Sequence, residues 1–129
     1  MALKQTRSRV GHPPFQWSMV RSFGVLCPNR QQVRKYLEEH PGLSAIVARL
    51  CERSRQEFGP QAELSLELYR DPEIEDRYLT LYVRQDSYPV DLIDQIERVS
   101  RPFRRPLARL SGHVLLATDF SRPRGSNGV

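Results

Sequence analysis

Long apolar runs are missing from this sequence, and none approaches the roughly 20 residues that cross a bilayer as a helix. No membrane-spanning segment is expected. Residues 1–10 are polar and basic without an apolar stretch, so they do not read as a secretory leader, and a soluble chain in the cytoplasm is the expectation. Cysteine is scarce. Cys27 and Cys51 are the only two, and in a reducing compartment they read as separate thiols, not a disulfide. Histidine is scarce and scattered: His12, His40 and His113 lie far apart, and no CxxC spacing exists. Zinc needs three or four convergent ligands, so no metal site is expected. The acidic residues of segment 71–76 lack the alternating ligands and turn glycine of a calcium loop and read as an exposed turn. Nucleophile elbows and glycine-rich phosphate cradles are absent as well. No catalytic residue and no cofactor is assigned, and the chain is not expected to be an enzyme.

What is present fits one ordinary domain. The chain has 129 residues, enough to bury a single core without a disulfide or metal. The net charge of +5 is unevenly spread. Residues 1–29 contain Lys4, Arg7, Arg9 and Arg21 and no acid. The middle, residues 30–100, holds ten basic and fourteen acidic side chains. Residues 101–129 hold six arginines against Asp119 alone. Acidic middle and basic ends suggest a flexible basic arm (1–18), one α+β domain (19–120) and a disordered tail (121–129).

Hydrophobic periodicity supplies the elements. Residues 20–26 are a short strand candidate. Asn29 and Gln32 stand in capping-box positions before a helix whose face is Val33, Tyr36 and Leu37. Pro41 interrupts it. A second helix, 42–57, carries Leu43, Ile46, Val47, Leu50 and Cys51 on one stripe and stops at Gly59-Pro60. The period then changes to two. Leu64, Leu66 and Leu68 alternate with polar residues, and so do Leu79, Leu81 and Val83, which predicts an antiparallel hairpin. Its outer face would carry Tyr69, Tyr78 and Tyr82. A third helix has Leu92, Ile93, Ile96 and Val99 as its stripe. The final strand, 113–120, contains two adjacent leucines, which suggests burial on both faces. The order α-α-β-β-α-β predicts a two-layer α+β fold, with helices on one face of a small, mainly antiparallel sheet.

Two residue groups point outward. Arg101, Arg104, Arg105 and Arg109 surround Phe103 and could contact phosphate or an acidic partner; their plainer use is a solvated surface that pairs with the acidic hairpin. Tyr69, Tyr78 and Tyr82, with Phe15 and Trp17 of the arm, are residue types that anchor protein interfaces; their plainer use is packing within the chain.

The stretch 36–83 resembles a small, uncharacterised family of bacterial proteins. The resemblance rests on His40-Pro41, Phe58-Gly59-Pro60, Leu64-Ser65-Leu66-Glu67-Leu68, Asp71-Pro72-Glu73 with Asp76, and Leu79-Thr80-Leu81-Tyr82-Val83. Where that family tends to carry tryptophans after the third helix, this chain has Arg101-Pro102-Phe103-Arg104-Arg105. The resemblance implies a stand-alone bacterial protein, antitoxin-like or an accessory subunit of a two-gene system. The sequence therefore favours a non-catalytic protein-interaction module, its partner either a second copy or a co-encoded protein. The alternative is a nucleic-acid-binding protein that uses the four clustered arginines.

Overall fold

The computed structural model describes residues 17–73 and 76–124, apart from the side chain of Met19. Most of the expected arm and tail, including Phe15, Lys4, Arg7 and Arg9, lies outside the described residues. The elements are α1 (Trp17–Ser22), β1 (Val25–Leu26), α2 (Arg30–Glu39), α3 (Leu43–Phe58), β2 (Glu63–Asp71), β3 (Asp76–Arg84), α4 (Leu92–Ser100), a 3-10 turn (Arg101–Phe103), α5 (Arg104–Ala108) and β4 (Val114–Ala117). No helix among the described residues is long and apolar enough to cross a membrane.

The fold is α+β, with one four-stranded sheet in the order β1-β2-β3-β4. The expected hairpin is present: β2 and β3 pair antiparallel, Leu66 opposite Leu81 and Tyr69 opposite Tyr78. The sheet is mixed, however, not mainly antiparallel. β1 runs parallel to β2, and β4 runs parallel to β3. Each edge strand reaches its neighbour through helices, α2 and α3 on one side, α4 and α5 on the other, and a helical crossover returns the chain in the same direction. The order also differs from expectation, because α1 and α5 are helices that periodicity did not reveal. Residues 20–22, expected in a strand, belong to α1; its end is closed by Phe23 N–H donating to Val20 O and Gly24 N–H to Arg21 O. Only Val25 and Leu26 are extended.

The inward alternation of the hairpin does what its pattern demands. Leu64, Leu66, Leu79, Leu81 and Val83 are fully buried beneath the helices, joined by Val33, Leu37, Leu43, Val47, Leu50 and Val99. Ile46, Leu68 and Ile96 pack against this core while partly exposed. Ile93 is a correction: it is 61% exposed. Leu92, Ile96 and Val99 form the inner stripe of α4, and Ile93 falls one step outside it. The final strand is likewise half-buried only. Val114 and Leu116 are buried, Leu115 is 41% exposed, and Phe120 lies beyond the strand on the surface.

Local chemistry fixes the helix ends. Asn29 precedes α2 but makes no side-chain cap, so the capping-box expectation fails. Gly59 follows α3 at φ 84°, a backbone region that favours glycine. Arg55, on the last turn of α3, donates to the carbonyls of Phe23, Gly59 and Ala62 at 2.7–2.8 Å and ties the β1 entry to the start of β2.

Candidate functional site

All the packed helices lie on one side of the sheet, so the other side is where surface chemistry can be displayed. The outward positions follow from register: Glu63, Ser65, Glu67, Tyr69 and Asp71 on β2, and Asp76, Tyr78, Thr80, Tyr82 and Arg84 on β3. Leu26 of β1 and Leu115 and Ala117 of β4 complete the face. Its two ends differ.

At the hairpin end, Tyr69 and Tyr78 stand opposite each other with ring centroids 4.9 Å apart, stacked. The His113 ring meets Tyr78 edge-on at 6.5 Å. Asp71 and Asp76 form the next rung outward, and Glu67 lies one rung inward on the same face. Asp71 Oδ1 accepts the Glu73 N–H at 2.9 Å, which holds the turn. Burial, then the nearness of Tyr69, Tyr82, Asp76 and Asp71, pushes the Tyr78 phenol above its ordinary pKa. The phenol of Tyr82 is raised by burial and then by Glu67 and Asp119. Burial is the larger cause of both shifts, and the neighbouring acidic groups add to it.

At the other end Arg84 is 2% exposed. Its guanidinium reaches Asp119 at 3.0 Å, Glu63 at 3.2 Å and Glu67 at 3.5 Å, and its central carbon lies 4.7 Å over the Tyr82 ring. Burial opposes this charge, but the bonds and attraction of Asp119, then Glu63 and Glu67, outweigh it and raise the Arg84 pKa. Asp119 itself is held down at about 2: burial acts against the carboxylate, and the Arg84 and Ser121 hydrogen bonds overcome it. A strap, residues 118–124, crosses this end of the sheet. It is fastened by Asp119, by Arg124 N–H donating to Glu63 at 2.7 Å, and by the Tyr88 hydroxyl donating to Ser121 O. Strand alternation alone puts Arg84 on the outer face with Tyr78 and Tyr82, and nothing local to the strand shows that a strap buries it.

The four clustered arginines are all exposed, as their composition suggested. They do not pair with the hairpin. Arg104 binds Glu97 closely at 2.5 Å, and Arg101 lies 3.9 Å from the same carboxylate. Of the hairpin acids that could receive them, Glu63 and Glu67 are engaged by Arg84, and Asp71 and Asp76 form no ion pair among the described residues. Arg105 and Arg109 have no ion pair among the described residues. Trp17 is not on the tyrosine face: it sits in α1 against the core with Arg30 stacked 4.7 Å over it.

Other features offer little chemistry. A groove of about 180 Å³ beside the β4 edge is lined by Leu50, Ile96, Glu97, Arg104 and strand residues 113–116. A shallow depression of about 370 Å³ involves Arg70, Asp71, Pro72 and Arg77. No group of three or more potential metal ligands occurs among the described residues. Both thiols are free, and burial above all raises them, Cys27 to about 11 and Cys51 to about 12, so neither is a ready nucleophile. No protein-family model, curated protein or solved structure matches the chain.

Proposed function

We propose that this protein is a non-catalytic interaction module, an accessory subunit that docks its partner on the outer face of its sheet. One observation carries the reading: the stacked Tyr69–Tyr78 pair, with half-exposed Leu115 one rung away on β4, lies uncovered on a sheet whose other face is packed with helices. Large rigid rings with polar tips lose little entropy on binding and dominate interface energetics. The reading is tested by placing the photo-crosslinking residue benzoyl-phenylalanine at position 78 or position 105 in the full chain and irradiating cells. A discrete protein adduct at 78 and none at 105 is expected. No protein adduct at 78 would overturn it.

A second reading has its own support in Arg105 and Arg109, whose guanidinium groups are exposed and unpaired among the described residues. Such charges suit phosphate contact. Adducts to nucleic acid at position 105, with none to protein at 78, would favour it.

A further inference from the structure

The two ends of the outer sheet face are built from the same ingredients, yet only one of them is filled. At the strap end a tyrosine ring and three carboxylates enclose a guanidinium, that of Arg84 over Tyr82. At the hairpin end two tyrosine rings are followed on the next rung outward by Asp71 and Asp76, while Glu67, one rung inward, is already held by Arg84 and by the Ser65 hydroxyl. Among the described residues no guanidinium stacks on Tyr69 or Tyr78, and none pairs with Asp71 or Asp76. The nearest arginines by sequence, Arg70 and Arg77, occupy the intervening register positions and so point to the opposite face; Arg77 instead meets Glu39 at 3.7 Å. Arg84 is the one basic residue at an outward strand position, and it is buried. At the hairpin end, away from the strap and its arginines, the charge that the strands present outward is therefore negative, that of Asp71 and Asp76.

We infer that the partner presents an arginine-rich extended segment, with a guanidinium seated on the Tyr69–Tyr78 rings beside the carboxylates of Asp71 and Asp76. The inference rests on the reading of this face as a docking surface and adds the chemistry of what docks. Arginine suits the place better than lysine, because its planar group stacks on a ring while its N–H fork engages carboxylates. An extended segment suits an open sheet face, and arginines at alternate positions all project to the side that meets it. Nucleic acid is disfavoured here, since its phosphates would meet carboxylates. A second copy would have to offer Arg105 and Arg109, which have no ion pair among the described residues, and its self-association is one of the outcomes that the test reads.

The test is a fluorescence-anisotropy titration of the full chain with a labelled, end-blocked peptide alternating arginine with valine. Parallel titrations use its lysine and glutamate counterparts and a labelled oligothymidine. Saturable binding of the arginine peptide is expected, with affinity falling roughly tenfold in the Tyr69→Ala/Tyr78→Ala protein and in the Asp71→Asn/Asp76→Asn protein. Lysine should bind several-fold more weakly than arginine, and glutamate should not bind. The Asp→Asn changes lie at the exposed hairpin end, and the Tyr→Phe pair keeps the rings, so the outcome can be read even if the alanine variants unfold. Tyr69→Phe/Tyr78→Phe should keep most of the affinity. Equal binding to all variants, preference for oligothymidine, or concentration-dependent self-association abolished by Arg105→Glu/Arg109→Glu would each overturn the inference. If the peptide fails while position 78 still crosslinks to a protein, the partner chemistry is wrong and the docking face stands. If both fail, the two readings fall together.

Discussion

The two faces of the sheet solve the same problem in opposite ways. Beneath the helices, Leu64, Leu66, Leu79, Leu81 and Val83 are sealed from water by non-directional apolar packing. On the outer face no helix is available. One end is closed by a charge cluster and a strap, and the other is left to a pair of stacked rings. An apolar layer tolerates a lost methyl group at graded cost. A buried charge tolerates the loss of a partner poorly, because the groups left behind are desolvated and uncompensated. The comparison therefore predicts that the sharpest weakness of this fold lies on its less protected face.

Replacing Arg84 should have the largest effect. Arg84→Met leaves Glu63, Glu67 and Asp119 facing one another, and a loss of about 3–5 kcal/mol is expected from denaturant unfolding at neutral pH. The difference from the native protein should shrink as pH falls toward 2, where the native Asp119 carboxylate also takes up its proton. A variant as stable as the native protein would show that the cluster is incidental. Leu81→Ala, at the centre of the covered face, should cost about 2–5 kcal/mol by the same measurement and show no such pH dependence.

Acid should act on the strapped end specifically. The folded Asp119 pKa, about 2, lies below its ordinary 3.8. The unfolded chain therefore binds the proton more readily, and this contribution to stability is present above about pH 4 and is lost as pH falls toward 2. The melting temperature of Asp119→Asn should lie below that of the native protein at neutral pH, and the two curves should converge in this acid window. Parallel curves throughout would remove Asp119 from the account. Smallest should be Tyr69→Ala on the open end, which breaks one cross-strand pair and should cost about 0.2–1 kcal/mol in thermal unfolding. A larger loss would mean that the rings serve the fold first.

What could be read in the sequence followed from short-range periodicity. The stripe Leu43, Val47, Leu50 and Cys51 and the alternation around Leu66 and Leu81 carried α3 and the hairpin, and put Tyr69, Tyr78 and Tyr82 on one face; that Tyr69 stands opposite Tyr78 came only with the register of the fold. The parallel edges were not legible, because nothing local in Val25-Leu26 or Val114–Ala117 declares the direction of a distant neighbour. Arg84 illustrates the other limit. Its alternation placed it correctly on the outer face, beside Glu63 in the final register, but its burial depends on a strap 35 residues further along the chain. The aromatic half of the candidate site was thus visible, and the ionic half required the fold.

The hydroxyl of Tyr36 in α2 donates to Arg77 O of β3 and accepts the His113 N–H just ahead of β4. Just past the end of that helix, His40 Nδ1 and Ser111 Oγ share a 2.8 Å hydrogen bond, and the His40 side chain lies so close to Gly112 that a methyl group there would overlap it. These contacts make α2 a gauge for the position of the edge strand. A β4 slipped by two residues would keep its apolar side inward, yet it would strand the Tyr36 hydroxyl and drive a bulkier backbone neighbour into His40. Correct registration of the sheet is thereby checked by a helix some 77 residues earlier in the chain. Closing so long a loop is slow, so the edge strand should join late and open first, and its amides should exchange with solvent ahead of those in the hairpin.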